Sequence, residues 1–232
     1  MDYASFLHQQ IATIVSQYFN HSGNSAWIGG PDLNWLTRVP GEPGARIDPL
    51  AGFGPTEAVV RCDADNCVEL WCKPVDKTAL RKAGKRDLTY SKAWAAFTSV
   101  YAKTTPSSTV NGVDLEIDHL YPETAGTRSG LTFVRLLPVD ERPNVRVGSA
   151  IERLAAGPKP GTAGRPRHAT AFTMANVSGF LRYFRREFSS SALARALVDH
   201  MLAQGYPMPS GALADVEADI IANQIDWYRG DL

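Results

Sequence analysis

The residues of this chain best suited to chemistry are neighbours: Asp118 and His119, followed by Leu120, Tyr121 and Pro122. A carboxylate is a hard ligand for a divalent cation, and an imidazole can take a proton from water near neutral pH. Hydrolysis of a phosphodiester needs both groups: a base for the nucleophilic water, and a cation that offsets charge on the phosphate and the leaving oxygen. Adjacent side chains on a strand point to opposite sides, so a division of labour is expected, with Asp118 on a metal and His119 on the water. In the plainer alternative, Asp118 holds a nearby backbone amide and His119 caps a turn.

The elements that must position this pair can be read from the flanking sequence. Val113 to Ile117 is expected to be a short strand that delivers Asp118 and His119, and residues 122–130 a loop. Leu131 to Leu137 is a strong apolar strand candidate. Pro143 to Leu154 reads as a helix with its proline in a good early position, which puts Asn144 at the helix start. This order of strand, Asp-His-x-x-Pro, loop, strand and Asn-x-Arg-x-Gly (Asn144 to Gly148) resembles the HNH, or ββα-metal, nuclease family, over roughly Val113 to Leu154. The resemblance implies His119, Asp118 and Asn144 as catalytic residues, with Asp118 and Asn144 as ligands of a divalent cation. That cation is expected to be Mg²⁺, with Mn²⁺ or Zn²⁺ as alternatives. It also implies cationic side chains on the substrate phosphate, here Arg142, Arg146 and Arg135, and a nucleic-acid partner, DNA ahead of RNA. The family's middle Asn is replaced by Ser129 or Gly130, and Arg146 stands near the place of its usual Lys. That departure keeps a second reading open: a non-catalytic interaction or adaptor protein retaining a degenerate HNH-like fold.

The rest of the chain frames this unit. Its 232 residues suffice for one large domain or two small ones, and 44% hydrophobic with 21% charged residues suits a folded globular protein. Net charge is zero, so no partner is announced by the whole molecule, but the charge is unevenly spread. Lys77, Arg81, Lys82, Lys85, Arg86 and Lys92 make the segment before Lys103 basic, and the C-terminal stretch is acidic. The basic segment is a candidate phosphate-binding face, or a solvated helix surface. Met1 to Phe19 is amphipathic and lacks the basic start and small-residue cleavage site of a signal peptide, and no run is apolar enough to span a bilayer. A cytoplasmic protein without a membrane partner is expected.

Helical spacing of apolar residues marks Tyr3 to Phe19 and Ser91 to Tyr101. A hairpin is expected over Glu57 to Lys73, turning at residues 63–66, and a basic helix over 76–85. Residues 27–55 read mostly as loop, with a short strand near 35–39, and 104–111 as a polar linker. After a Gly- and Pro-rich linker at 157–167, helices are expected over 170–188, 190–204 and 211–229. The expected class is α+β: an N-terminal α/β region (1–105), a central ββα-metal unit (106–157) and a C-terminal helical region (168–232).

Other candidates carry weaker signals. Cys62, Cys67 and Cys72 are too evenly spaced for a zinc site and are expected to be buried. His168, at the end of the basic run Arg165-Pro166-Arg167, is expected at a helix N-terminus, with a phosphate contact as the alternative; His200 is expected to be structural, and His8 and His21 have no recognisable partners. The stripes Trp94/Phe97/Tyr101 and Phe180/Phe184 are expected in the core, with Arg182, Arg185 and Arg186 near the second.

Overall fold

The computed structural model describes residues 1–19, 26–39, 44–63, 68–75, 82–84, 88–144, 164–183 and 189–222. Among them no helix is long and apolar enough to cross a membrane. The architecture is mixed α and β, built on one antiparallel sheet.

Helix α1 (Tyr3–Tyr18) starts where the Asp2 carboxylate accepts from the Ser5 amide at 2.7 Å, an ordinary N-cap. Its buried face is Tyr3, Phe6, Leu7, Gln10, Ile11, Ile14 and Val15, so one polar residue lies in the apolar stripe. Helix α3 (Thr89–Tyr101) packs against it: Trp94 Nε1 donates to Tyr3 Oη at 2.9 Å, and the Phe6 and Phe97 rings are 5.6 Å apart. The expected aromatic stripe is therefore core.

The strands are β1 (Trp27–Gly30), β2 (Arg46–Pro49), β3 (Ala58–Cys62), β4 (Val68–Cys72), β5 (Thr109–Val110), β6 (Val113–His119), β7 (Phe133–Asp140) and β8 (Arg167–His168). They run in the order β2-β3-β4-β7-β1-β8, with β6 paired to β7 and β5 to β6. The hairpin β3–β4 matches the expected one. Ala58, Val60, Leu70, Cys72 and Leu136 join the main core with α1 and α3. Val59, Trp71 and Phe133 form a second cluster with Leu36 of helix α2 (Leu33–Thr37).

Four expectations are corrected here. Residues 122–130, expected as a loop, contain helix α4 (Glu123–Arg128). The segment near 35–39 is helix α2, because Asp32 caps it by accepting from the Trp35 amide at 2.8 Å. Gly29 and Gly30, read as loop, lie in β1, where a Cβ on Gly30 would come within 2.9 Å of the Trp35 ring. Residues 109–113 are a hairpin: Asn111 and Gly112 both have positive φ (50° and 77°), as a two-residue primed turn requires.

The helix expected over 170–188 is shorter. Helix α6 (Ala171–Val177) stops before Gly179, whose φ of 76° breaks the α path, and a 3₁₀ turn, Phe180–Tyr183, follows. Helices α7 (Ser190–Ala203) and α8 (Ala212–Ala222) complete the C-terminal region. That region shares the main core with α1 and the sheet, and Tyr18 Oη donates to Asp219 at 2.7 Å across the two. The basic helix expected over 76–85 and most of the one expected over 143–154 lie outside the described residues.

Inside the sheet sits a charged cluster. Arg61, Glu69 and Arg135 lie on β3, β4 and β7 and are 1%, 3% and 1% exposed. Glu69 Oε2 accepts from Arg61 Nη1 at 3.3 Å and from Trp71 Nε1 at 2.9 Å. Glu69 Oε1 accepts from Gln17 Nε2 at 2.8 Å and stands 3.1 Å from Arg135 Nη1, which also donates to Gln17 Oε1 at 2.7 Å. Burial alone would raise the Glu69 pKa, but Arg135 and Arg61 outweigh it and hold the carboxyl below its usual range.

Removing one partner of such a set leaves a buried charge uncompensated. Glu69→Gln is therefore expected to cost about 3–5 kcal/mol in urea denaturation, whereas replacing Arg61, Glu69 and Arg135 together with apolar residues of similar volume should cost far less. Because its folded pKa is depressed, Glu69 contributes stability above the unfolded carboxyl value of about 4.3. That contribution is lost as pH falls through the lower folded value. Glu69→Gln should flatten the acid limb of the stability profile, and an unchanged limb would show that Glu69 does not carry it.

Candidate functional site

The pair Asp118–His119 ends β6. The register places Asp118 opposite Leu137 and His119 opposite Leu136 of β7, and the Leu120 amide donates to the Arg135 carbonyl at 2.9 Å just beyond. The strand is two residues longer than expected, so both site residues hold extended backbone within the ladder. Alternation sends His119 to the side of α3, where its ring meets Tyr90 edge-on at 5.9 Å. Tyr90 is in turn fixed by the Val75 amide, which donates to its hydroxyl at 2.9 Å. Asp118 lies on the same side of β7 as Arg135 by the same alternation.

The two side chains still approach each other: His119 Nδ1 is 3.5 Å from Asp118 Oδ1. Both residues are nearly closed off, at 4% exposed for Asp118 and 7% for His119. Asp118 Oδ2 is buried and has no hydrogen-bond partner among the described residues. A carboxylate oxygen in that position is costly unless something else engages it. Asp118 therefore fits the donor atom that a cation needs.

Asn144 does not fit so simply. Asp140, from which the single helical turn α5 (Glu141–Pro143) begins, pairs with Leu115 at the opposite end of β6. It lies three strand positions from Leu137, about 10 Å at the usual rise. Asn144 follows that turn, is buried, and its Oδ1 accepts from Asn176 Nδ2 of α6 at 3.1 Å. Its side-chain oxygen is thus already engaged. Among the described residues no three His, Cys, Asp or Glu side chains come together as a group able to hold a metal.

The expected substrate cations fall into three situations. Arg135 is buried with Glu69 and Gln17. Arg142 is at the surface, 3.9 Å from Asp114, in a pairing that contributes little to stability. Arg146 lies outside the described residues, as do Lys77, Arg81, Lys85 and Arg86 of the basic segment, while Lys82 and Lys92 are exposed. Arg182 pairs with Asp140 at the start of α5.

The remaining described candidates pack against neighbouring residues. His168 lies on strand β8 and not at a helix start, its ring is tilted against that of Trp27, and burial lowers its pKa. His200 Nε2 is 2.8 Å from the Ser178 carbonyl, and His8 stacks on Tyr206. Cys62 and Cys72 are free and buried, as expected, whereas Cys67 and His21 lie outside the described residues. Sequence reasoning missed Tyr90 as the wall behind His119 and Glu69 as the centre of the charged cluster. The second had a visible signal, a lone acid within the otherwise apolar strand Val68–Cys72.

Comparison of the chain with protein-family models, with curated proteins and with solved structures finds no match in any of the three.

The geometry of Asn144 makes a prediction. If its role is the bond to Asn176, Asn144→Ala should cost about 1–3 kcal/mol by leaving a buried amide unpaired. The loss of thermal stability should then be the same with and without Mg²⁺. A loss that appears only in Mg²⁺ would instead make Asn144 a metal ligand.

Proposed function

We propose that the chain is a divalent-cation-dependent nuclease acting on DNA ahead of RNA, with Asp118 and His119 at its centre. The observation that carries this reading is the end of the β6–β7 pairing. There the Asp-His of the ββα-metal pattern leaves a strand side by side, with one Asp118 oxygen buried and not hydrogen-bonded. In this reading Asp118 holds the cation, which supplies charge compensation for the phosphate and the leaving oxygen. His119 accepts the proton of the attacking water, and Tyr90 behind its ring limits the orientations it can take. Asn144 is assigned to packing, because its oxygen is engaged by Asn176. Arg142 is exposed beside Asp114, at the opposite end of β6 from Asp118.

One observation favours a second reading. Both site residues are nearly buried, which suits an interaction protein that keeps the pair for its fold. Cleavage of single- and double-stranded DNA and of RNA, with Mg²⁺ and with EDTA, separates the two. The nuclease reading expects EDTA-sensitive cleavage, reduced by about 10²–10⁴ in His119→Ala. Asp118→Asn should lose activity through the cation, so that raised Mg²⁺ or Mn²⁺ restores part of it, whereas His119→Ala should not respond. Absence of cleavage by a folded wild-type protein, or a His119→Ala variant that unfolds, would favour the interaction protein.

A further inference from the structure

The basic run Arg165-Pro166-Arg167 enters β8, the last strand of the sheet beyond β1. The run is fixed at both ends. The Gly164 amide donates to the Ser129 carbonyl at 2.6 Å, and the Ala169 amide donates to the Ala26 carbonyl at 2.6 Å. An edge strand is paired on one side only, which leaves the other for a ligand to approach.

Register puts Arg167 on the face that carries His119. Arg167 stands across from Gly29, and Gly29 across from Val134 of β7. Directly opposed residues share a face, and two steps along β7 that face carries Leu136 with His119 opposite it. The glycine makes room for the arginine, since a Cβ on Gly29 would come within 3.2 Å of Arg167 Cβ.

The half-buried Arg167 guanidinium is directed at the chain leaving β6. Its Nε donates to Tyr121 Oη at 3.1 Å, its Cζ lies 5.7 Å from the centre of that ring, and Tyr121 is two residues beyond His119. Nη1 donates to the Arg165 carbonyl at 3.0 Å. A hydroxyl and a carbonyl are neutral, so they orient the planar fork without themselves cancelling its charge. Arg165 adds a second cation, exposed and with no ion pair among the described residues.

We propose, on the basis of the nuclease reading above, that Arg167 with Arg165 holds a backbone phosphate of the DNA strand, flanking the phosphate presented to Asp118 and His119. Tyr121 is the positioning residue that aims the Arg167 fork. Such a contact fixes register and adds affinity without reading sequence.

The test is fluorescence anisotropy of the full chain with short labelled DNA duplexes of two unrelated sequences, in EDTA and over a range of KCl. Binding is then read apart from cleavage. Wild type is expected to bind saturably, and more weakly as KCl rises. Each phosphate contact contributes about 0.9 to the slope of log affinity against log salt. Arg167→Gln should lower the slope by about one such step and weaken both duplexes alike. Arg167→Lys should keep the slope, because it keeps the charge. Tyr121→Phe should weaken binding at an unchanged slope, because it releases the fork and leaves the charge. A brace that served only the fold would change the melting temperature and not the slope. In cleavage with Mg²⁺, Arg167→Gln should raise KM more than it lowers kcat, as loss of uniform binding does. A wild-type protein that binds neither duplex, or an unchanged slope in Arg167→Gln, overturns the proposal. Should Arg167→Gln fold poorly, the slope of Arg165→Gln, at an exposed position, decides in its place. The expected slopes in a protein that cuts no nucleic acid would uphold the phosphate contact and sink the nuclease reading instead.

Discussion

Much of this structure depends on one buried carboxylate. Glu69 sits on β4 between Arg61 of β3 and Arg135 of β7, so a single side chain ties three neighbouring strands together by charge. Desolvating such a set is expensive, and its attraction offsets that cost only when geometry and hydrogen bonding are good. Here Trp71 and Gln17 complete the shell of Glu69. The set also specifies register. Arg61 stands directly across from Glu69, and Trp71 across from Arg135. A slip of one residue would turn every one of these side chains to the opposite face and leave the charges unpaired. Gln17 brings α1 into the same arrangement, so the helix is positioned by a polar contact as well as by its apolar stripe.

The same strand carries the constraint to the candidate site. Arg135 engages Glu69 through its side chain and the Leu120 amide through its carbonyl. Leu120 directly follows His119, so the sheet that is locked by charge also holds the end of β6. From there β7 continues along β6 to Asp140, where Arg182 pairs with the carboxylate and the chain turns toward Asn144 and Asn176. The two ends of β7 thus have different jobs. Its first residues belong to the locked sheet, and its last ones anchor the C-terminal helices. A strand shared in this way leaves little freedom to bring Asn144 back to Asp118, which is why the local pattern and the register point to different partners for that amide.

What the sequence shows clearly is whatever depends on neighbours along the chain. Helices α1 and α3 follow from apolar spacing, the β3–β4 hairpin from two apolar runs around a polar turn, and the delivery of Asp118–His119 from the strand before them. The hairpin at Asn111–Gly112 was equally legible, because that dipeptide is a strong turn signal, yet the polar flanks read as linker. Long-range partners were not legible. Glycines 29 and 30 look like loop until Trp35 and Leu131 are seen to need the space. Arg135 resembles a substrate cation in a strand next to a catalytic pattern, and only the sheet order reveals Glu69 beside it. Charged residues within strands are ambiguous from sequence, since a groove and a buried pair use the same letters.

Buried polar groups in this protein fall into two kinds, and the difference bears on function. Glu69 has every oxygen engaged, and its neighbours explain why it is charged. Asp118 Oδ2 is buried without such company among the described residues. A fold selected only for stability would replace the second kind with apolar side chains of similar shape, since an unmet donor or acceptor costs more than its removal. Local violations of good packing chemistry concentrate at sites that do something else. On that argument the Asp118 carboxylate is a place where this chain keeps a polar atom open, and one suited to a cation. The Glu69 cluster, although more highly charged, belongs to the sheet that holds the end of β6 through Arg135 and Leu120.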